Sequence, residues 1–489
     1  MHSRRAARAG TRPARKNPRA ATPPALAFVT LGCPKNTVDS ENMLGLLSTA
    51  GFRTVSDPFE ADVAVINTCA FLSSAVRESK DAISRLASCK REGRLQGLIV
   101  TGCLAQRAGD SLLTEFPEVD VVLGTGQWRE VVTAARHVLS KRTERFANIE
   151  YPGGALDSLT PRALSTPRHL AYLKISEGCD HRCTFCIIPR LRGDQRSRPI
   201  EDLVAEAERL AKLGVRELNL IGQDTTGYGT DLPGRPALAD LLAALDRVEG
   251  LSWIRVQYTY PRLWDDRLIE TWAAARRVVP YVDMPLQHIA QDMLRTMARG
   301  MTEADTRALI RRIRAGIPNV AFRTNFIVGF PGETEPHFET LMRFIEEEPF
   351  DHLVAFVYER EPETPSFQMT PRIPIHERRR RRARLLERQQ RLSAERLRRR
   401  VGESLRVMID GPLESPRDSR ATSGPTVPRW AARSTSMAYE VDGGVVVEGG
   451  SFAPGDCVEV RVMGAAAYDL FARYEPPASI PLTILKGPA

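Results

Sequence analysis

Short runs of consecutive apolar residues, separated by amphipathic stretches of helix length, set the rhythm of the chain from residue 26 onward. The first four, at 26–31 (LAFVTL), 62–67 (DVAVIN), 97–101 (GLIVT) and 119–124 (VDVVLG), lack the apolar-polar alternation of a half-exposed strand. Continuous runs of this kind belong to parallel strands buried on both faces. They predict a small α/β domain over residues 25–140. The rhythm lapses over 141–164, where Pro152, Gly153, Gly154 and Pro161 predict a linker. It returns in six candidate strands at 170–176, 215–221, 252–258, 281–286, 320–329 and 351–357, with helical stretches such as 201–213, 237–248 and 302–315 between them. Six βα units in succession predict a partial or complete parallel barrel over 165–400, with reactive groups at the carboxyl ends of the strands. After Gly402 the pattern changes to period-two alternation among glycines and prolines, ending in VEVRVMG at 458–464. This predicts a small β domain over 401–476.

Composition changes the picture little. Of the 489 residues, 42% are hydrophobic and 26% charged, the balance of a folded globular chain. No run approaches the roughly 18 apolar residues of a membrane span, and no secretory apolar core is present, so a cytoplasmic protein is expected. Charge is more informative, because the net +9 is localised. Residues 1–24 hold seven basic side chains and no acid, and residues 372–400 hold thirteen arginines against three glutamates, which leaves the rest of the chain net acidic. A basic nucleic-acid groove across the whole body is thereby excluded. Residues 1–24 and 477–489 are expected to be tails. The arginine-rich segment also carries Leu385, Leu386, Leu392 and Leu397 at broken helical spacing. It is expected to pack one face on the barrel with its arginines in water, and phosphate contact by residues 377–400 is the alternative.

Eight cysteines are too few for a disulfide scaffold of this size. Three are clustered in EGCDHRCTFC at 177–186, directly after the first strand of the second series. Cys179, Cys183 and Cys186 in this CxxxCxxC spacing suit an iron–sulfur cluster. A zinc site with His181 as fourth ligand and a disulfide leaving one odd thiol are the competing readings. A 4Fe-4S cube held by three thiolates keeps one iron open to a substrate or cofactor. The second constellation is dispersed. Cys33, Cys69 and Cys103 each follow a predicted strand after a one-residue gap, so a parallel sheet would bring all three to one carboxyl edge. One cysteine after a strand is ordinary core, but three at equivalent strand ends are poorly explained by accident. Cys89 and Cys457 lack this placement and are expected to be structural.

The CxxxCxxC after the first strand resembles that of the radical S-adenosylmethionine enzymes. The resemblance implies that the open iron chelates S-adenosylmethionine and that the reduced cluster splits it to a 5′-deoxyadenosyl radical. FIVGFPGETE at 326–335 is similar to the family region bordering the adenosyl group, which implies cofactor contacts at Gly329 and Gly332; from the residues alone, Pro331-Gly332 is a strand-to-helix turn. LGCPKNTVDSE at 31–41, NTCAFL at 67–72, TGCLAQR at 101–107, EGCDHRCTFCIIPRLRGDQRSRP at 177–199, GQDTTGYGTDL at 222–232 and MPLQH at 284–288 extend the resemblance to the methylthiotransferase branch, from about residue 25 to 476. GCPKN and RLRGDQRSRP resemble the enzymes acting on an aspartate of ribosomal protein uS12 more than those acting on tRNA.

For this chain the resemblance implies an auxiliary 4Fe-4S cluster on Cys33, Cys69 and Cys103, and a catalytic radical-generating cluster on Cys179, Cys183 and Cys186. Two S-adenosylmethionine molecules, a sulfur donor and an electron donor such as flavodoxin or ferredoxin are implied with them. The last domain looks like a TRAM domain. It has seven arginines and eleven acids over 401–476, which favours a basic protein partner over RNA. The alternatives are methylthiolation of an N6-isopentenyl or threonylcarbamoyl adenosine in tRNA, and a non-catalytic zinc protein that binds RNA or the ribosome. Segment 356–367 follows the family pattern only loosely, and residues 412–432 look like an insertion.

Overall fold

The computed structural model describes residues 23–140, 144–150, 156–413 and 427–476. Residues 1–22 and 477–489 of the expected tails, and 414–426 of the expected insertion, lie outside the described residues. The first sheet comprises β1 (Ala25–Thr30), β2 (Arg53–Val55), β3 (Val63–Thr68), β4 (Gly97–Gly102), β5 (Val121–Leu123) and β6 (Phe146–Asn148), all parallel, in the order β2-β1-β3-β4-β5-β6. Its lack of alternation has a direct cause. Ala64, Ile66, Leu98 and Val100 pack on one face with Ile83 and Leu86 of helix Ser73–Arg91. Val63, Val65 and Ile99 pack on the other with Val38 and Leu47 of helix Pro34–Thr49. The chain order reverses between β1 and β3, the kind of switch point at which open α/β sheets bind ligands. One expectation needs correcting: Phe146–Asn148 sits within the expected linker but pairs with β5 as an edge strand. Cys89 lies in helix Ser73–Arg91.

The second sheet holds β7 (Leu170–Lys174), then, beyond a small antiparallel pair β8 (Ser176–Glu177) and β9 (Arg196–Ser197), β10 (Glu217–Ile221), β11 (Trp253–Val256), β12 (Val278–Asp283), β13 (Ala321–Val328) and β14 (His352–Val357). The order β14-β13-β12-β11-β10-β7 is parallel and open, so the barrel is partial. Both edges are covered, which protects unpaired backbone. At β7, Leu170 and Tyr172 share an apolar cluster with Leu26 and Val38 of the first sheet's domain. At β14, helix Ile375–Arg399 buries Leu385 in the core and Arg382 donates to the Ala355 carbonyl. Its arginines are not simply solvated as expected. Arg384 pairs with Glu335 and Glu339, Arg388 with Glu346, and Arg396 with Asp351. Among the described arginines of this helix, only the exposed Arg379 and Arg398 have no side-chain hydrogen-bond or ion-pair partner.

The third unit is a closed barrel of β15 (Ser404–Pro412), β16 (Arg429–Ser434), β17 (Val445–Glu448), β18 (Cys457–Ala465) and β19 (Leu470–Arg473) in the order β15-β16-β17-β19-β18. Val407, Ile409, Val447, Val460 and Val462 fill it. Buried polar contacts fasten it to the second sheet. Arg433 reaches Glu217 at 2.6 Å and Asp410 at 2.8 Å, and the Tyr281 hydroxyl donates to Asp442 at 2.7 Å.

Candidate active site

Register brings the dispersed cysteines together. Thr30 pairs with Asn67 and Asn67 with Thr101, so β1, β3 and β4 end level with one another. Cys69 and Cys103 directly follow their strands, while Cys33 lies at the N-cap of helix Pro34–Thr49. Gly102 has φ +93°, and a Cβ there would lie 2.2 Å from Asn67 Oδ1 and 2.6 Å from the Thr68 carbonyl, so only glycine fits this close approach. The Cys69 amide donates to Ser79 Oγ (3.0 Å), which donates back to the Cys69 carbonyl (2.8 Å). Asn36 ties the edge together: Nδ2 donates to the carbonyls of Leu31 (2.9 Å) and Thr68 (3.0 Å), and Oδ1 accepts from Arg192 at 2.6 Å. Burial pushes the Cys69 thiol up and the Cys103 thiol to about 11, with Arg192 opposing in both cases.

The clustered cysteines hang from a loop bonded to itself and to its surroundings. Gly178, at φ +81°, has no room for a Cβ, which would lie 2.1 Å from the Asp194 carbonyl. The Cys179 amide donates to the Gly193 carbonyl (3.1 Å), the Cys186 amide to that of Cys183 (3.0 Å), and the Thr184 amide to that of Met297 (3.2 Å). Arg299 donates to Cys183 Sγ at 3.3 Å and lies 4.2 Å from the centroid of the Tyr260 ring. Burial pushes the thiols of Cys179 and Cys186 to about 12. His181 stacks on Tyr260 at 3.6 Å, with Nε2 2.7 Å from Asp224 Oδ2. Among the described residues no three His, Cys, Asp or Glu side chains converge on a position for a single metal ion.

A buried ionic group bridges the two sets. Arg192 Nη1 meets Asp39 at 3.2 Å and Glu177 at 2.8 Å, and Lys174 pairs with the same two carboxylates. Burial opposes the Glu177 charge, but Arg192 and Lys174 outweigh it and hold its carboxyl well below the usual range. The Arg192 charge is likewise favoured against burial by Cys103, Glu177, Asp39 and Cys33. Sequence reasoning gave no role to Asn36, Asp39, Arg192 or Arg299. The first three stand inside LGCPKNTVDSE and RLRGD, which carried the resemblance but no charge pairing.

Gly329 and Gly332 diverge. Gly329, φ +75°, makes room for Arg378, whose Cγ would lie 2.2 Å from an added Cβ, whereas at Gly332 the nearest atom is 4.0 Å away. The Glu333 carboxylate accepts from the amides of Gly329 and Phe330 and pairs with Arg381 at 3.0 Å. The loosely patterned segment 356–367 docks on the first domain: Glu361 accepts from the Ser73 amide (2.6 Å) and pairs with Arg107 (3.0 Å).

Three family models match along the chain: Uncharacterized protein family UPF0004 over residues 25–124, the Radical SAM superfamily over 173–345 and the TRAM domain over 401–474. The ribosomal protein uS12 methylthiotransferase RimO of Anaeromyxobacter sp. (strain Fw109-5) is 47% identical over 441 residues, 90% of this chain and 91% of that protein. The chain belongs to the RimO family. RimO proteins of Myxococcus xanthus (43% identical, 92% of each chain) and Geobacter sulfurreducens (42%, 91% of this chain and 97% of that one) match with similar coverage. The fold is also similar to the radical S-adenosylmethionine methyltransferase TsrM of Kitasatospora setae, at 15% identity and a TM-score of 0.52, over 70% of this chain and 75% of that one.

Proposed function

We propose that this RimO-family chain adds a methylthio group to the β-carbon of an aspartate of ribosomal protein uS12 by radical S-adenosylmethionine chemistry. Cys179, Cys183 and Cys186 would hold the radical-generating 4Fe-4S cluster, and Cys33, Cys69 and Cys103 the auxiliary one. The observation that carries this reading is the pair of three-thiol sets at the carboxyl edges of two abutting parallel sheets, joined through Arg192. The donor sets fit such clusters. Each is made of soft thiols, with a guanidinium placed to offset thiolate charge: Arg299 at Cys183, and Arg192 near Cys33 and Cys103. When bound, the clusters and two S-adenosylmethionine molecules supply a 5′-deoxyadenosyl radical and a methylated sulfur for insertion.

The chain's own part is placement and exclusion of water. Asn36, Asp39, Glu177 and Arg192 hold the two edges in fixed relation. Arg299 orients the Cys183 sulfur, and its own carbonyl accepts from the Tyr260 hydroxyl at 2.6 Å. Phe185, Phe330 and Tyr358 build an edge-to-face apolar wall beside the loop, with ring separations of 6.5 and 5.1 Å. Gly332 leaves space for a cofactor, while Gly329 acts through the Arg378 it accommodates.

In this reading residues 25–140 carry the auxiliary cluster, 165–400 the radical chemistry and 401–476 the TRAM domain. The protein works in the cytoplasm with uS12, an electron donor and a sulfur donor. Among the described residues no helix is long and apolar enough to cross a membrane. The ion pairing of most arginines in helix Ile375–Arg399 weakens the tRNA reading, because a phosphate-binding stripe needs them free. The test is mass analysis of uS12 co-produced with this protein. One methylthio group on one aspartate is expected, together with about eight irons and eight sulfides per anaerobically purified chain. Unmodified uS12 alongside methylthiolated tRNA overturns the assignment.

A further inference from the structure

Three cations crowd the seam between the two thiol sets, and two have anionic partners. Arg192 and Lys174 share Asp39 and Glu177. The third, Lys35, is 7% exposed; Cys33, Asp283 and Glu177 favour its charge, but among the described residues no carboxylate lies within ion-pair range of it. Its Nζ rests 2.9 Å from the centroid of the Tyr258 ring. A ring face offsets part of the desolvation of an ammonium, but leaves its three N–H donors without acceptors. Lys35 Nζ is not among the sealed, unpartnered polar atoms, so the ammonium at the end of a largely buried side chain is open to an arriving anion.

The ring beneath it is itself held in an unfavourable conformation. Tyr258, just past the carboxyl end of β11, has φ +62°, a region that bulky residues avoid. It is kept there by its amide, which donates to Asp283 Oδ2 (2.9 Å), and its carbonyl, which accepts from the Thr225 amide (3.1 Å). Asp283 bonds that amide and Arg323 (3.3 Å) and makes no direct ion pair with Lys35, although its charge favours that of the ammonium. Lys35 thus extends from the first domain, two residues after Cys33, to the carboxyl edge of the second sheet. That is the seam where a reacting side chain must lie between the two thiol sets.

We propose that Lys35, seated on the Tyr258 ring, receives the side-chain carboxylate of the target aspartate and so presents the adjacent β-carbon to the reaction. The inference rests on the uS12 reading and adds a specificity-determining residue to it: an ammonium at this point favours aspartate over its uncharged isostere asparagine.

The test uses anaerobically reconstituted full-length protein and a fluorescent peptide copying the uS12 segment, with either aspartate or asparagine at the target position. Wild-type protein is expected to bind the aspartate peptide roughly ten- to a hundredfold more tightly than the asparagine peptide, the range of one charge-assisted hydrogen bond. Lys35→Met should erase that preference by weakening the aspartate peptide alone, and Lys35→Arg should retain most of it. Because the two peptides are compared on one preparation, a reduced folded fraction cancels. A preference that survives in Lys35→Met, or equal weakening of both peptides, overturns the role. So does a loss confined to S-adenosylmethionine affinity, which would assign the ammonium to that molecule's carboxylate. Wild-type protein that binds neither peptide overturns the uS12 reading itself, and this role with it.

Discussion

Cys179, Cys183 and Cys186 hang from one loop whose amides bond to Gly193, to Cys183 and to Met297, whereas Cys33, Cys69 and Cys103 stand at the ends of three strands and meet through sheet register. The first arrangement is local. Its geometry follows from a few residues and a glycine at 178 that lets the chain turn against Asp194. The second is global, because moving β1, β3 or β4 by one residue would redirect a cysteine to the other face. A shared device joins them: Arg192 reaches Asn36 and Asp39 on one side and Glu177 on the other. The contrast suggests how two reactive centres are held at fixed separation without a covalent link. Each is built on its own sheet, and buried charge sets the distance between them.

The largest effects should come from the thiols themselves and should differ between the sets. Cys183→Ala is expected to abolish S-adenosylmethionine cleavage, read as 5′-deoxyadenosine by chromatography. Cys69→Ala should retain some cleavage and lose methylthiolation of uS12, read by mass; a Cys69 variant that still methylthiolates would break the proposed division of roles. Next comes the link between them. Arg192→Met leaves buried Asp39 and half-buried Glu177 to share Lys174 alone, and should cost about 3–5 kcal/mol in urea denaturation. Iron content should fall at both sites, and a loss at only one would show that the two centres are held independently.

The smallest effect concerns a second buried charge group, where the third unit meets the partial barrel. Burial opposes the charges of Glu217 and Asp410, yet Arg433 and Arg255 at the first, and His169 and Arg433 at the second, hold both carboxyls below their ordinary range. Groups lowered in this way stabilise the folded protein above the unfolded carboxylate pKa, and that stabilisation is lost as pH falls through their folded values. Thermal melts between about pH 5 and 3 should therefore show a steep loss of stability, shallower in Arg433→Met. An unchanged slope would remove this interface from the acid response.

Much of the architecture was legible because its causes are local. Apolar runs buried on both faces announce parallel strands, and all ten predicted strands of the two parallel sheets are present. β2 and β6 are three residues long and pair at sheet edges, too short to show a pattern, so Phe146–Asn148 passed for linker. β12 ends at Asp283, before the predicted boundary, because the chain beyond it turns through Gln287 at φ +72°. The arginine-rich helix misled for a different reason. Its charge is visible in the sequence, but the acidic helix Glu335–Glu347 that receives Arg384 and Arg388 is a neighbour only in space.

The two βα series, the terminal β unit, the family resemblance and the six cysteines can be read from the amino-acid order, since periodicity, strand-end position and motif spacing are properties of short stretches of chain. It took the packed sheets to show that His181 faces Asp224, that Arg192 spans both sets, and that Lys35 settles on a strained Tyr258 with no carboxylate in ion-pair range. Those relations join residues far apart in the chain. Their energies depend on burial and on which opposite charge lies within a few ångströms, quantities that exist only once the sheets have packed.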